Sequence, residues 1–391
     1  MAKYACTAFG GPSAHIGAMT KTFVQQRRDV SQTELTEIFS FCQMLPGPSS
    51  TQTITLIGYK RGGPRLAVLT LLVWMLPACL LMTSYALLLT HVKDAERIAN
   101  LLRFVQPMAI GFLIYAIVKA MQSSIKHVAT FAIMLVAALV TVLLRSPWVF
   151  PCLLVVGSIV SNASSKRIPD IAGTRKPIKW VNLVWFFICF AVIATLSELA
   201  RLGHWQNARL FNMFENFYRF GSLTWGGGHA LMPIMHEQFI ALPIKRGVEP
   251  WLNNQQFLTG FGMMNSVPGP VFSVSAYVGA IAMQPNGLVY QLLGALVASV
   301  GVFLPSTLLV FFLFPLYNNL KQNTRIFRAL EGITAVVIGT MCASVFILAK
   351  TLQLDLVNCT VIAATFLVLQ FTKLPAPVWV LICILAAALM P

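Results

Sequence analysis

Two short stretches of this chain carry residue types suited to holding an anion. Pro46-Gly47-Pro48 is followed by Ser49, Ser50, Thr51 and Gln52, and Pro268-Gly269-Pro270 is followed by Ser273 and Ser275. Proline suits a first helical turn because the first amides of any helix lack intrahelical partners. Those amides, the positive end of the helix dipole and the adjacent hydroxyls together favour a negatively charged group without burying many cations. A glycine-rich break precedes each stretch: Gly10-Gly11-Pro12 the first, Gly226-Gly227-Gly228 the second. Gly10, Gly11, Gly226 and Gly227 would let backbone approach a ligand closely. His15 and His229 stand beside these glycines, and histidine is the side chain that carries a proton near neutral pH. Glu215, Glu237 and Glu331 are the carboxylates closest to apolar segments, where an ionisable group is functional by default. The chain has no P-loop, no Cys-rich cofactor motif and no clustered Asp, His and Ser set, so an enzyme is not expected, nor a cofactor.

These motifs interrupt apolar sequence. Of 391 residues 57% are hydrophobic and 10% charged, and mean hydropathy is +0.75, whereas a soluble domain carries about 25% charged residues. Uninterrupted apolar runs lie near Leu66 to Leu89, Phe104 to Met121, Val128 to Leu144, Trp148 to Ser161, Val181 to Leu199, Leu288 to Leu316, Gly332 to Leu348, Leu354 to Phe371 and Pro375 to Met390. In hydrocarbon each backbone amide must bond within its own segment, which predicts helices throughout. Ala8 to Gly17 with Phe41 to Gly58, and Phe220 to Pro233 with Phe261 to Ala282, are instead broken by Gly and Pro. Broken backbone at membrane depth is tolerated only where protein or a watery cavity satisfies it.

The breaks recur in order. Phe9-Gly10-Gly11-Pro12 matches Trp225-Gly226-Gly227-Gly228, Leu45-Pro46-Gly47-Pro48 matches Val267-Pro268-Gly269-Pro270, and Leu76-Pro77 matches Leu304-Pro305, with separations that grow in small steps. This is an internal repeat. It predicts an all-α polytopic membrane protein of two homologous inverted-topology repeats with re-entrant or half helices, roughly 10–13 membrane segments in all. Residues 1–163 form the first repeat, 164–180 a basic cytoplasmic linker with Lys166, Arg167, Arg175, Lys176 and Lys179, and 181–391 the second. The segment Val181 to Leu199 has no counterpart in the first repeat, so either that repeat is truncated or this helix is an insertion, and the extra crossing lets the second repeat enter from the opposite side.

The formal net charge of +16 sits in short clusters between apolar runs rather than in one basic face, which points away from nucleic acid. With the linker inside and each broken element re-entrant, Lys21, Arg27, Arg28, Lys60, Arg61, Arg65, Lys119, Lys126, the linker cations, Lys321, Arg325, Arg328 and Lys373 all fall on the cytoplasmic side, as the positive-inside rule requires. Lys60, Arg61 and Arg65 would also attract anions to that mouth. The eight cysteines are scattered without a C-x-x-C pair, and His229, His236 and Glu237 are too few for a structural metal site, so no metal is expected. No cleavable signal peptide is visible.

The motifs Phe9 to Gly17, Cys42 to Gln52 and Gly58-Tyr59, followed in the second half by Phe220-Gly221, Gly226 to Gly228, Trp251-Leu252, Phe257, Pro268 to Pro270 and Tyr277-Val278-Gly279, resemble those of the chromate ion transporter family in its two-domain form. The resemblance covers nearly the whole chain. It implies a multi-pass carrier of the cell (inner) membrane that extrudes chromate, with sulfate as the structural analogue, driven by the proton motive force. The implied partners are the oxyanion, protons and the lipid bilayer; a homodimer is compatible with it. Uptake or exchange of sulfate or another divalent oxyanion is the alternative within transport. Only eight residues precede Phe9, where the family usually has a longer apolar helix, so the first element is expected to be incomplete.

Overall fold

A computed structural model describes residues 1–10, 12–92, 98, 100–163, 181–205, 207–314, 324–353 and 355–389. Helices account for most of these residues, and among them there is no strand. The first half opens with α1 (Ala2–Thr7), α2 (Pro12–Met19) running into a π-helical turn (Thr20–Gln26), α3 (Gln32–Gln43) and α4 (Ser49–His91). It continues with α5 (Val105–Ser124), α6 (Val128–Leu144) and α7 (Val149–Asn162). In the second half α8 (Val181–Leu202) precedes α9 (Ala208–Leu223), a 3₁₀ turn (Gly228–Ala230), α10 (Leu231–His236), a π-helical turn (Glu237–Ala241) and α11 (Leu242–Lys245). Then come α12 (Asn254–Met263), α13 (Val274–Ala282), α14 (Leu288–Leu313), α15 (Thr324–Ala349), α16 (Leu356–Phe371) and α17 (Ala376–Leu389).

Helices α4, α5, α14 and α15 are long and apolar enough to cross a bilayer, and α6, α7, α16, α17 and the segment Val271–Ala282 are shorter apolar helices. The chain is an all-α polytopic membrane protein. The ends expected at Leu316, Leu354 and Met390, and the whole linker, lie outside the described residues. Two of the expected runs differ in extent. The run from Gly332 starts as helix at Thr324, because Arg325, Arg328 and Glu331 form its first turns and do not count as apolar. The run from Leu66 belongs to α4, whose backbone is non-helical at Gly62 and Gly63. There the chain doubles back, so that a Cβ on Gly58 would lie 2.2 Å from Thr70 Oγ1.

Both halves use the same devices in the same order. A π-helical turn follows each glycine break. A capping box opens α3 (Ser31 with Glu34) and α12 (Asn253 with Gln256), satisfying two orphan amides each. The Pro-Gly-Pro loops follow, with Gly47 at φ 106° and Gly269 at φ 110°. A fold-back comes next, at Gly63 (φ 67°) in one half and Gly287 (φ 89°) in the other. Each then leads into a long helix with an internal proline, Pro77 or Pro305. These equivalent long helices run antiparallel: Gln291 Nε2 donates to Thr90 Oγ1 at 3.1 Å, and Cys79 meets Ser299 farther along. Glycines allow the close packing that lipid-exposed bundles rely on. A Cβ on Gly332 of α15 would reach 2.1 Å from the Gly157 carbonyl of α7, and one on Gly221 of α9 would reach 2.2 Å from the Val302 carbonyl of α14.

Candidate functional site

The two Pro-Gly-Pro loops cross onto each other's repeat. The Gly47 amide donates to the Thr224 carbonyl at 2.7 Å, and the Gly269 amide donates to the Ala8 carbonyl at 2.9 Å. Thr224 and Ala8 are the matching residues just before the glycine breaks. Gly47 also abuts Ser306, which follows Pro305, and Gly269 abuts Ala78, which follows Pro77. Each repeat thus closes the break of the other. The amides of Gly47 and Gly269 are engaged in these bonds and are not free to hold an anion. Pro46 and Pro48 stand outside the helix rather than in its first turn: Pro48 is the extended N-cap of α4, and Pro270 the extended N-cap of the turn Val271–Ser273. A residue preceding proline avoids the helical region, so Gly47 and Gly269 keep the chain out of helix until the second proline has passed.

Behind Pro48 the start of α4 has no side-chain cap, and its first turn is Ser49, half-buried, with Ser50, Thr51 and Gln52, all buried. Thr51 Oγ1 accepts the indole N–H of Trp74 at 3.0 Å, and Gln52 Nε2 donates to the Pro46 carbonyl at 2.7 Å while Oε1 has no partner. His15 lies edge-on to Trp74 at 5.4 Å, buried, with the Ala8 backbone beside its ring. Buried polar atoms are seldom left unpaired, so this corner of the first repeat has hydrogen-bonding capacity to spare. In the second repeat Ser273 is buried with its amide on the Pro270 carbonyl at 3.0 Å, and the Ser275 hydroxyl is unpartnered. Gly10, Gly226 and Gly227 all have positive φ, 96°, 81° and 99°. Gly11 lies outside the described residues.

Of the carboxylates singled out, Glu237 lies elsewhere, at a cavity of about 50 Å³. Arg219 forms an ion pair with Glu215 at 3.2 Å, one helical turn away, and donates to Gln238 Oε1 at 3.2 Å. Glu237, the first residue of a π-helical turn, lines the cavity with Arg145, Arg219 and His236, whose Nε2 meets Asn254 Oδ1 at 2.9 Å. Glu215 and Glu237 therefore share one neighbourhood, while His15 sits in the other repeat and His229, half-buried in its 3₁₀ turn, does not line the cavity. No Pro-Gly-Pro residue lines it either. Arg145 and Arg219 were not among the residues singled out from the sequence. An arginine one turn after Glu215, inside Phe214 to Phe220, was the available signal. Among the described residues no group of three metal-ligating side chains comes together.

With this geometry in view, comparison with known proteins is decisive at the level of family. The chromate transporter family model matches residues 1–162 and 211–389. The chain belongs to the chromate transporter family. Among its relatives, a chromate transport protein of Pseudomonas aeruginosa is 24% identical over 352 residues, covering 89% of this chain and 79% of that protein. A chromate transport protein of Cupriavidus metallidurans is 25% identical over 375 residues, covering 94% and 86%. An uncharacterized transporter of Methanocaldococcus jannaschii is 20% identical over 343 residues, covering 87% and 81%. No solved structure matches the chain. The two matched stretches of this chromate transporter family member each contain one glycine break and one Pro-Gly-Pro loop.

Proposed function

We propose that the protein is a secondary active transporter that exports chromate, or a sulfate-like divalent oxyanion, across the cytoplasmic membrane at the expense of the proton gradient. Residues 1–163 and 181–391 are its two repeats, inverted in the membrane and joined by the basic segment 164–180 on the cytoplasmic side. The observation that carries this reading is the pair of crossed breaks. Broken helices at matching positions of two repeats are where transporters of this construction bind substrate, with half-helix N-termini facing anionic groups. The uncapped amides and hydroxyls of Ser49, Ser50 and Thr51, with Gln52, are the anion ligands on the first side, and Ser273 contributes on the second. Gly10, Gly11, Gly226 and Gly227 give the backbone its close approach. Glu237 and Glu215, set against Arg219, are the carboxylates suited to carry the coupling proton, with His15 and His229 as further candidates.

The test is uptake of labelled chromate into inverted membrane vesicles, with and without an imposed proton gradient, by wild-type protein and by Gly47→Leu. Gradient-dependent accumulation that is lost in the variant supports proton-linked export through the crossed breaks. Accumulation only in right-side-out vesicles, or of sulfate and not chromate, reassigns the protein to uptake or exchange. Reduction of chromate without its translocation would make the protein an enzyme.

A further inference from the structure

The first repeat carries a cleft beside α4. About 390 Å³ in volume, it opens between the end of the first π-helical turn and the doubled-back arms of α4. Its walls are apolar: Phe23, Ile54 and Ile57 on one side, Leu66, Leu69 and Val73 on the other. Leu69 is 56% exposed. In the second repeat the matching start of α14 is tied to chain, Tyr290 Oη donating to Asn207 Oδ1 at 3.2 Å.

Two arginines stand over this cleft, held side by side by one carboxylate. Asp29 accepts from Arg27 Nε at 2.7 Å and lies 3.6 Å from Arg61 Nε. Both guanidiniums face Asp29 through Nε, that of Arg27 lies over the Phe23 ring, and the side chains are 50% and 55% exposed. The turn that sets Asp29 in place runs through Arg28 at φ 55°, a conformation rare outside glycine, where the second repeat has Gly247 at φ 68°. Local strain of this kind persists where the surroundings over-determine it and often marks a site. Lys60, next to Arg61 in the chain, is itself paired with Glu34, so the two arginines are the charges this cleft offers an anion.

We propose that this cleft binds an anionic phospholipid. The headgroup phosphate meets the paired forks of Arg27 and Arg61, and one acyl chain lies against Leu66, Leu69 and Val73. The chemistry fits an amphiphile better than a free oxyanion: a planar fork pair recognises phosphate, while a small anion would leave the apolar walls in contact with water. Basic pockets between membrane helices facing the cytoplasmic leaflet take acidic headgroups in this way. The cytoplasmic assignment rests on the orientation proposed above, but the site does not depend on transport.

The experiment is thermal unfolding of the full chain in detergent after delipidation, titrated with phosphatidylglycerol, phosphatidylcholine or inorganic phosphate, together with native mass spectrometry of retained lipid. Phosphatidylglycerol should raise the unfolding temperature and stay bound as a single lipid per chain, with the other two inert. The Arg27→Ala/Arg61→Ala double variant should weaken that lipid about thirtyfold, the loss expected for two interfacial cations. Leu69→Trp, at an exposed position that fills the cleft and leaves the charges alone, should weaken it as well, which keeps the test open should the double variant not fold. Equal protection by phosphatidylcholine, equal protection by phosphate alone, or unchanged lipid affinity in both variants would overturn the proposal.

Discussion

At Gly47 and Gly269 the two repeats share a backbone and part company in side chains. Both glycines have φ near 110°, both donate across the molecule, and both pack beside the residue after a helix proline. Yet Ser49, Ser50, Thr51, Gln52 and Thr53 follow the first loop, whereas Val271, Phe272 and Val274 surround Ser273 after the second. The ion pair of Arg219 with Glu215 belongs to the second repeat. The lesson is a division of labour: glycine and proline fix one frame twice, and the residues after each loop then differ, hydroxyls and an amide after the first and mostly apolar side chains after the second.

That comparison can be broken most sharply at the glycines themselves. A Cβ on Gly47 would lie 2.4 Å from Ser306 Cβ, and one on Gly269 lies 3.0 Å from Ala78 Cβ. Left-handed strain of about 1–2 kcal/mol acts on both, and overpacking of about 1–3 kcal/mol falls mainly on the first. Gly47→Ala should therefore destabilise clearly more than Gly269→Ala in denaturation of the detergent-solubilised protein. Equal losses would mean that the frame, not the contact, dominates.

Transport should divide along the same line. Thr51→Val removes the acceptor of the Trp74 indole and a hydroxyl of the first half-helix. Chromate accumulation should fall about tenfold or more, as for a lost hydrogen bond to a charged group worth about 1.5–3 kcal/mol. Ser275→Ala, at the buried and unpartnered hydroxyl of the second repeat, should leave accumulation within about twofold, since no partner is left unsatisfied. A larger effect at Ser275 than at Thr51 would reverse the division of labour.

The charged neighbourhood gives a smaller effect. Arg219→Gln strands Glu215, whose side chain is only 20% exposed, and should lower stability by about 1–3 kcal/mol, with Glu215→Gln in the same chain restoring much of it. Additive losses in that double-mutant cycle would show the pair to be incidental. The smallest effects are expected at the caps, where Ser31→Ala and Asn253→Ala should each cost about 1 kcal/mol and match one another, because both repeats close the same helix start in the same way.

Much of the frame was legible in the residues alone. Apolar runs became helices because hydropathy is a local property, and the paired Gly and Pro motifs marked the breaks because those residues act on their own backbone. Pro48 stands one residue ahead of the first helical turn, since its N1 preference competes with the restriction that it imposes on Gly47. The meeting of Arg145, Arg219, His236 and Glu237 was not legible, because it joins a loop after α6 to a helix and a π-helical turn far along the chain. The same holds for the crossed bonds of Gly47 with Thr224 and Gly269 with Ala8, which no local pattern announces.

Those crossed bonds also bear on how the chain is made. Thr224 leaves the ribosome 177 residues after Gly47, roughly 10–35 s later at about 5–20 residues per second. Throughout that interval the first Pro-Gly-Pro loop sits in the nascent chain with its amide unanswered, and the partner carbonyl at Ala8 waits longer still. The two halves can therefore lock together only after most of the chain has been made, with a delay set by the length of chain between them.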